Sequence, residues 1–168
     1  GILYVASVLE DAGHRVRFLS LGGLVSQGRL KVNEHFHSSA AKIITKERIP
    51  LIGFTTRCDT YPSVINIARE CKRINPNSKI ILGGPQATFT DTETLKAFPF
   101  IDIIVRNEAE QTTLELVERL KQNRSLKDLP GITYRDNSRI IRNKDRELIK
   151  DLDSLPLPAY HLAEEYLP

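Results

Sequence analysis

Three short polar segments contain the residues of this chain best suited to binding or chemistry. Residues 55–60, 83–88 and 106–110 each follow a short apolar run that is typical of a buried β-strand. They supply threonine hydroxyls, a glycine pair, and a mixture of arginine, amide and carboxylate side chains. Because ligands of open α/β sheets bind beyond the carboxyl ends of the strands, we expect these three loops to wall one crevice.

Each loop also has a simpler structural explanation. The pair Gly83-Gly84 allows a ligand to approach the backbone closely because no Cβ intervenes, but a tight turn leaving a strand needs the same residues. The hydroxyls of Thr55 and Thr56 can bind a ligand or satisfy nearby backbone groups. Glu108 precedes a predicted helix, where acidic side chains are stabilising in any case. The residues alone leave these alternatives open.

No recognisable catalytic or metal-binding pattern occurs in the sequence. The glycine pair continues as Pro85-Gln86-Ala87-Thr88, which matches neither GxGxxG nor a P-loop. Cys58 and Cys71 are too far apart for a CxxC pair and too few for a metal site. The four histidines are scattered, and no GxSxG nucleophile motif is found. We therefore predict no catalytic residue and no metal site in this chain.

Composition narrows the class of protein. The chain has 168 residues, of which 40% are hydrophobic and 27% charged, as in an ordinary globular domain. Its 24 basic and 21 acidic residues give a net charge of +3, with both signs interleaved, so nothing favours nucleic-acid binding. No apolar run approaches the roughly 20 residues of a membrane helix. Without a secretory pattern, we expect a cytoplasmic domain.

The elements that must position the loops alternate along the chain. Helices are predicted at residues 2–12, 34–47, 61–74, 90–98 and 110–122, and strands at residues 15–21, 50–54, 79–82 and 101–105. This alternation predicts a flavodoxin-like or Rossmann-like α/β fold, a parallel sheet in three α-β-α layers. A turn at Asp136-Asn137-Ser138 predicts a C-terminal β-hairpin extension over residues 131–143. We expect residues 1–143 to form the domain and residues 144–168 a linker.

Five segments in order resemble the N-terminal cobalamin-binding domain of the cobalamin-dependent radical S-adenosylmethionine (radical SAM, Fe–S oxidoreductase) family. Residues 1–16 resemble its first helix, G-L-x-Y-L-A-x-x-L-x-x-x-G-H-x-V. Residues 80–88 are similar to its strand and G-G-P-H-x-T loop, and residues 105–110 to V-x-G-E-G-E. Residues 129–134 and 151–160 resemble its hairpin entry and its connection to the radical SAM barrel.

The resemblance implies a set of cofactor-binding residues. These are Thr55, Thr56, Arg57, Gly83, Gly84, Pro85, Gln86, Arg106, Asn107 and Glu108. Gln86 stands where the family often has histidine, and Asn107 and Ala109 stand where it has glycines. The family's D-x-H-x-x-G signature is absent, so the resemblance implies cobalamin bound without a lower histidine ligand from this chain.

For the whole protein, the resemblance implies a radical SAM enzyme that performs methyl transfer or cyclisation. The C-x-x-x-C-x-x-C motif for a [4Fe–4S] cluster does not occur here, so the cluster and S-adenosylmethionine are expected in a C-terminal radical SAM domain of the same protein. This chain would be a fragment, not catalytic alone, that also lacks the family's first strand. A small molecule is the expected substrate of the whole enzyme.

Other function classes fit less well. A docking module that has lost cobalamin binding is the main alternative, and the changes at Gln86, Asn107 and Ala109 favour it. A phosphoacceptor receiver domain needs an acidic cluster, an Asp after a middle strand and a Lys after a later one, where this chain has threonines and Arg106. A dinucleotide-binding enzyme would need the missing glycine fingerprint.

Overall fold

The apolar runs form the strands of one mixed sheet in the computed structural model, which describes residues 1–166. In spatial order the strands are β1 (Leu51–Thr55), β2 (Lys79–Gly83), β3 (Ile103–Val105), β4 (Ile132–Asp136) and β5 (Arg139–Arg142). The first three run parallel, and β4 and β5 are antiparallel to their neighbours. The predicted parallel sheet is therefore present, and an antiparallel hairpin extends it.

Helices cover both faces of this sheet. They are α1 (Ile2–Asp11), α2 (Leu21–Ser26), α3 (Phe36–Ile44), α4 (Tyr61–Ile74), α5 (Pro85–Phe89), α6 (Asp91–Ala97) and α7 (Glu110–Lys121). Two short 3₁₀ helices follow, at Leu152–Ser154 and Tyr160–Tyr166. Helix α1 packs against α7, and α3 packs against α4. None of the helices in the described part of the chain is long and apolar enough to cross a membrane.

Strand alternation builds one core on each face. Ile80 and Leu82 are buried in the core that includes α3 and α4, whereas Ile81 is buried with Leu116 of α7. Cys71 lies on the buried face of α4, and burial raises the pKa of its thiol to about 12. The arrangement is the predicted three-layer α-β-α sandwich, with both cores underneath the loops at the carboxyl edge.

The prediction of a strand at residues 15–21 is wrong. Residues 14–20 lie outside any helix or strand, and α2 begins at Leu21. A strand is defined by hydrogen bonds to a neighbour, and within residues 1–166 no strand of the sheet pairs with this segment. Its aromatic residue packs elsewhere, because Phe18 meets Tyr166 edge to face with ring centroids 5.8 Å apart.

Residues 144–166, here called the C-terminal segment, lie along the surface of the domain. Arg146 Nη2 is 2.5 Å from Glu115 Oε2 on α7, and the amide of Ala159 donates to the carbonyl of Leu3 on α1 at 3.1 Å. Further along, Arg29 Nη1 is 3.3 Å from Glu165 Oε2. The boundary between residues 143 and 144 stays a prediction.

Candidate functional site

The three polar loops meet at one edge of the sheet, as the sequence predicts. The carboxyl ends of β1, β2 and β3 lie at the same edge because these strands are parallel. Thr56, after β1, hydrogen-bonds to the loop after β2. The amide of Asn107, after β3, donates to Thr88 Oγ1 at 3.1 Å. The loops therefore form one continuous rim, here called the carboxyl rim.

Thr56 locks the first loop to the second. Its hydroxyl donates to the carbonyl of Gly83 at 2.7 Å and accepts from the amide of Ala87 at 2.9 Å. Its backbone amide also donates to the Gly83 carbonyl, at 2.8 Å. The residue is fully buried, so these bonds satisfy polar groups that water cannot reach. The hydroxyl of Thr56 is thus engaged within the protein.

The two glycines of the second loop differ in what surrounds them. Gly84 has φ +90°, and a Cβ there would lie 2.5 Å from the carbonyl oxygen of Thr56, so a side chain is excluded by the first loop. A Cβ on Gly83 would meet only the Val105 carbonyl oxygen, at 3.6 Å. Packing against the first loop therefore requires glycine at residue 84, whereas the space around Gly83 could accommodate a Cβ.

The remaining predicted residues of the first two loops are more accessible. Thr55, Arg57 and Pro85 are exposed, and Gln86 is half-buried in the first turn of α5. Hydrogen bonds from the Arg57 guanidinium lower the pKa of the Asp59 carboxyl below its usual range. The Gln86 carbonyl accepts from the Thr90 hydroxyl at 2.8 Å. These four residues can meet a ligand without unfolding a loop.

The third loop contains a residue with a positive φ, although it has no glycine. Asn107 has φ +58°, in the left-handed region that asparagine tolerates better than most residues. Ala109 has φ −99°, which any residue adopts. Ala109 therefore introduces no backbone strain at the carboxyl rim, and Asn107 keeps the left-handed conformation at a smaller cost than most residues would incur.

Arg106 and Glu108 direct their side chains to the protein. Arg106 is 1% exposed, and its guanidinium donates to Thr133 Oγ1, to the Asn143 carbonyl and to Asp145 Oδ1. The carboxylate of Glu108 accepts the amide of Ile149 at 2.6 Å. Local sequence does not predict these contacts, because the partners lie 27 to 41 positions away along the chain.

Asp91 completes the charge network around Arg106. Its carboxylate accepts from Thr133 Oγ1 at 2.5 Å and from Arg142 Nε at 2.9 Å. Burial opposes its ionisation, but the hydrogen bonds and the two arginine charges outweigh burial, so the pKa of Asp91 lies below its usual value of 3.8. Asp91 therefore stays ionised at neutral pH and balances a buried cation.

A small cavity of about 200 Å³ adjoins the third loop. Its lining residues come from α1, the third loop and the C-terminal segment, and are Gly1, Tyr4, Glu108, Glu110, Leu152 and Leu155. Small-molecule pockets typically enclose about 300–1,000 Å³. This cavity is therefore too small to enclose a corrinoid. Within residues 1–166, no group of three His, Cys, Asp or Glu side chains could hold a metal ion.

Replacing Thr56 by valine is expected to destabilise the fold. The variant removes the hydroxyl that links the first two loops and leaves the buried amide of Ala87 without its acceptor, at a cost of about 1–3 kcal/mol. Thr56→Ser keeps the hydroxyl and loses one methyl group, worth about 1 kcal/mol. Urea denaturation measures both, and equal losses in the two variants would contradict a role for the hydroxyl.

Acid is expected to weaken the network around Asp91. Because its pKa is lower in the folded chain than in the unfolded chain, ionised Asp91 contributes stability above pH 3.8 and loses it as the pH falls further. Asp91→Asn should be less stable than the parent at pH 7 and should lose less stability between pH 5 and pH 3. Thermal unfolding across that range checks this, and parallel pH profiles of the two proteins would refute it.

Comparison with curated proteins finds relatives that are much longer than this chain. An uncharacterised methyltransferase of Pyrococcus horikoshii is 33% identical over 162 residues, which are 96% of this chain and 33% of that protein. An anaerobic magnesium-protoporphyrin IX monomethyl ester cyclase of Synechocystis is 30% identical over 153 residues, 91% of this chain and 29% of that protein. The chain thus spans about a third of the length of these relatives.

Solved structures share the fold. The radical SAM methyltransferase TsrM from Kitasatospora setae, with cobalamin and a [4Fe–4S] cluster bound, matches with a TM-score of 0.69 at 17% identity, over 93% of this chain and 27% of that chain. The cobalamin-dependent S-adenosylmethionine radical enzyme OxsB, with aqua-cobalamin and S-adenosylmethionine bound, gives 0.62 at 19% identity, over 95% of this chain and 24% of its own.

A family model described as the B12 binding domain matches residues 1–117. This range includes α1, the parallel strands and all three loops of the carboxyl rim. The match covers more than half of the 168 residues and places the predicted binding residues inside the matched region. This chain therefore belongs to the B12 binding domain family.

Proposed function

We propose that the chain binds cobalamin on the carboxyl rim and is the cofactor-binding part of a radical SAM enzyme. The observation that carries this proposal is the continuity of the three loops, which hydrogen bonds join from Thr56 through Thr88 to Asn107. All three loops lie inside the region that matches the B12 binding domain. A flat macrocycle needs such a connected edge rather than a deep pocket.

The proposed binding residues remain the ten predicted from the sequence. Gly83 supports the fit most directly, because a Cβ beside the carboxyl end of β2 would meet only the Val105 carbonyl oxygen, at 3.6 Å, so the absence of a side chain is not forced by packing. Thr55, Arg57 and Gln86 offer polar groups on the first two loops, and Pro85 offers an exposed apolar surface. Thr56, Gly84, Arg106 and Glu108 contribute by fixing the loop backbones, and Asn107 by presenting an exposed amide side chain.

Bound cobalamin would supply a cobalt centre that carries a methyl group or exchanges electrons. This chain's part is to hold the cofactor, and none of its four histidines lies in the three loops. His14 Nε2 is 2.6 Å from Glu118 Oε1, and His161 Nε2 is 3.1 Å from Glu10 Oε2. Cobalamin without a lower histidine ligand from this chain remains the prediction.

For the whole protein, methyl transfer or cyclisation is proposed. The relatives named above are a methyltransferase and a cyclase, and the structural neighbours are described as radical SAM enzymes. A radical SAM domain of the same protein would then hold S-adenosylmethionine and the [4Fe–4S] cluster, act on a small-molecule substrate and adjoin this chain. Chemistry would take place there, and a cytoplasmic location stays a prediction.

A docking module without cofactor is the second candidate. The changes at Gln86, Asn107 and Ala109 favour it, because Gln86 replaces the family's frequent histidine and the other two add side chains where the family has glycines. The backbone angles at Asn107 and Ala109 weaken this candidate, since asparagine tolerates the left-handed conformation at residue 107 and any residue adopts the φ of −99° at residue 109. Binding of cobalamin by the chain separates the two functions.

The proposal predicts that Gly83→Val abolishes cobalamin binding and preserves the fold. Valine is well tolerated in strands, and the nearest atom to the new Cβ would be 3.6 Å away. Gly22→Val is the matched control, because it adds the same side chain on α2, where a Cβ meets no atom within 4 Å. Each protein is mixed with hydroxocobalamin, desalted and measured by visible absorbance and circular dichroism.

The parent chain and Gly22→Val should retain the corrinoid spectrum, whereas a folded Gly83→Val should lose it. Absence of bound corrinoid in the parent would reject cobalamin binding in favour of the docking module. Retention by all three proteins would reject the carboxyl rim as the site.

A further inference from the structure

Arg106 occupies an unusual position for a residue of a ligand-binding loop. It follows β3 directly, yet its guanidinium is buried and hydrogen-bonded to groups of the hairpin and the C-terminal segment. Asp145 Oδ1 accepts from both Nε, at 3.0 Å, and Nη2, at 2.8 Å. The Arg106 amide donates to the Gly131 carbonyl at 2.8 Å. Charge-assisted bonds of this kind hold a side chain and its backbone in one position.

A second anchor lies on the other side of the third loop. The carboxylate of Glu108 accepts the amide of Ile149 in the C-terminal segment at 2.6 Å. Three residues earlier in that segment, Arg146 donates to Thr112 Oγ1 at 2.9 Å and to Glu115 Oε2 at 2.5 Å on α7. The C-terminal segment therefore hydrogen-bonds both to the third loop and to the first turns of α7.

Asn107 lies between the two anchors. It has a left-handed φ of +58°, and its amide donates to Thr88 of the second loop. A residue in the left-handed region readily leaves that conformation when its neighbours are not held in place, because the extended and helical regions are lower in energy. Its position at the carboxyl rim thus depends on Arg106 and Glu108 being held.

We infer that Arg106 is a positioning residue through which the C-terminal segment sets the third loop for cobalamin. The inference rests on the proposed function and adds to it a dependence of the cofactor site on residues 145–149, which lie outside the matched region 1–117. A displacement of the C-terminal segment would loosen Asn107 and lower the affinity for the cofactor, and bound cofactor would favour the docked segment in return.

Asp145 offers a variant that tests this contact and should still fold. Its side chain is 54% exposed, and Asp91 remains within 3.6 Å of the Arg106 guanidinium as a second counter-charge. Asp145→Asn removes one charge from the anchor and keeps its shape. Asp145→Glu keeps the charge and serves as the conservative variant, and Glu147→Gln removes a neighbouring charge that takes no part in the Arg106 contacts.

The experiment measures amide hydrogen exchange of the cofactor-free chain and the Kd of hydroxocobalamin for each variant. Asp145→Asn should speed exchange at residues 107–110 by about tenfold, as loss of about one charge-assisted hydrogen bond implies. Exchange in β2 should not change. The Kd should rise by about fivefold to tenfold. Asp145→Glu should change the exchange rate and the Kd much less than Asp145→Asn does, and Glu147→Gln should match the parent.

Unchanged exchange at residues 107–110 in a folded Asp145→Asn chain would overturn the inference. So would an equal increase across the sheet, which indicates a general loss of stability, or faster loop exchange with an unchanged Kd. Failure of the parent chain to bind hydroxocobalamin would instead reject the proposed function, and the exchange data would still decide whether the C-terminal segment positions the loop.

Discussion

The close contact between Gly84 and Thr56 is the constraint on which the carboxyl rim depends. Gly84 turns the chain out of β2 with φ +90°, and the first loop fills the space where a side chain would stand. The buried hydroxyl of Thr56 then joins the two loops with bonds that cannot be exchanged for water. Two loops that would otherwise move separately become one surface, to which the third loop is added through Thr88.

This constraint divides the predicted binding residues into two roles. Some are at least partly accessible, such as Gly83, Thr55 and Gln86. Others are committed to interactions inside the protein, most clearly Thr56 and Arg106. A loop can present a stable surface to a large ligand only if its own backbone is held, so both roles would serve the proposed binding.

Local sequence patterns were sufficient for the parallel sheet. Runs such as Ile80–Leu82 are apolar throughout because they are buried on both faces, and this signal does not depend on distant residues. Residues 15–21 show why the same reasoning fails elsewhere, since their alternation indicates a strand but only a paired neighbour makes one. The five-residue helix α5 was not predicted, because so short a helix carries no periodicity.

The role of Arg106 could not be read from the local sequence. Its place after β3 predicted a residue of the binding loop, and its backbone does lie in that loop. Its side chain, however, hydrogen-bonds to Thr133 and Asp145, which are 27 and 39 positions away. Strand parity gives no signal either, since both faces of β3 are buried. Tertiary contacts of this separation require the folded chain.

The central claim is that one carboxyl rim binds the corrinoid. Amide hydrogen exchange of the parent chain with and without hydroxocobalamin tests it most directly. We expect protection concentrated at residues 55–60, 83–89 and 106–110, with the groove lined by Arg29, Lys31 and Lys42 unaffected. Protection confined to that groove, or spread evenly over the chain, would contradict the assignment of the cofactor to the rim.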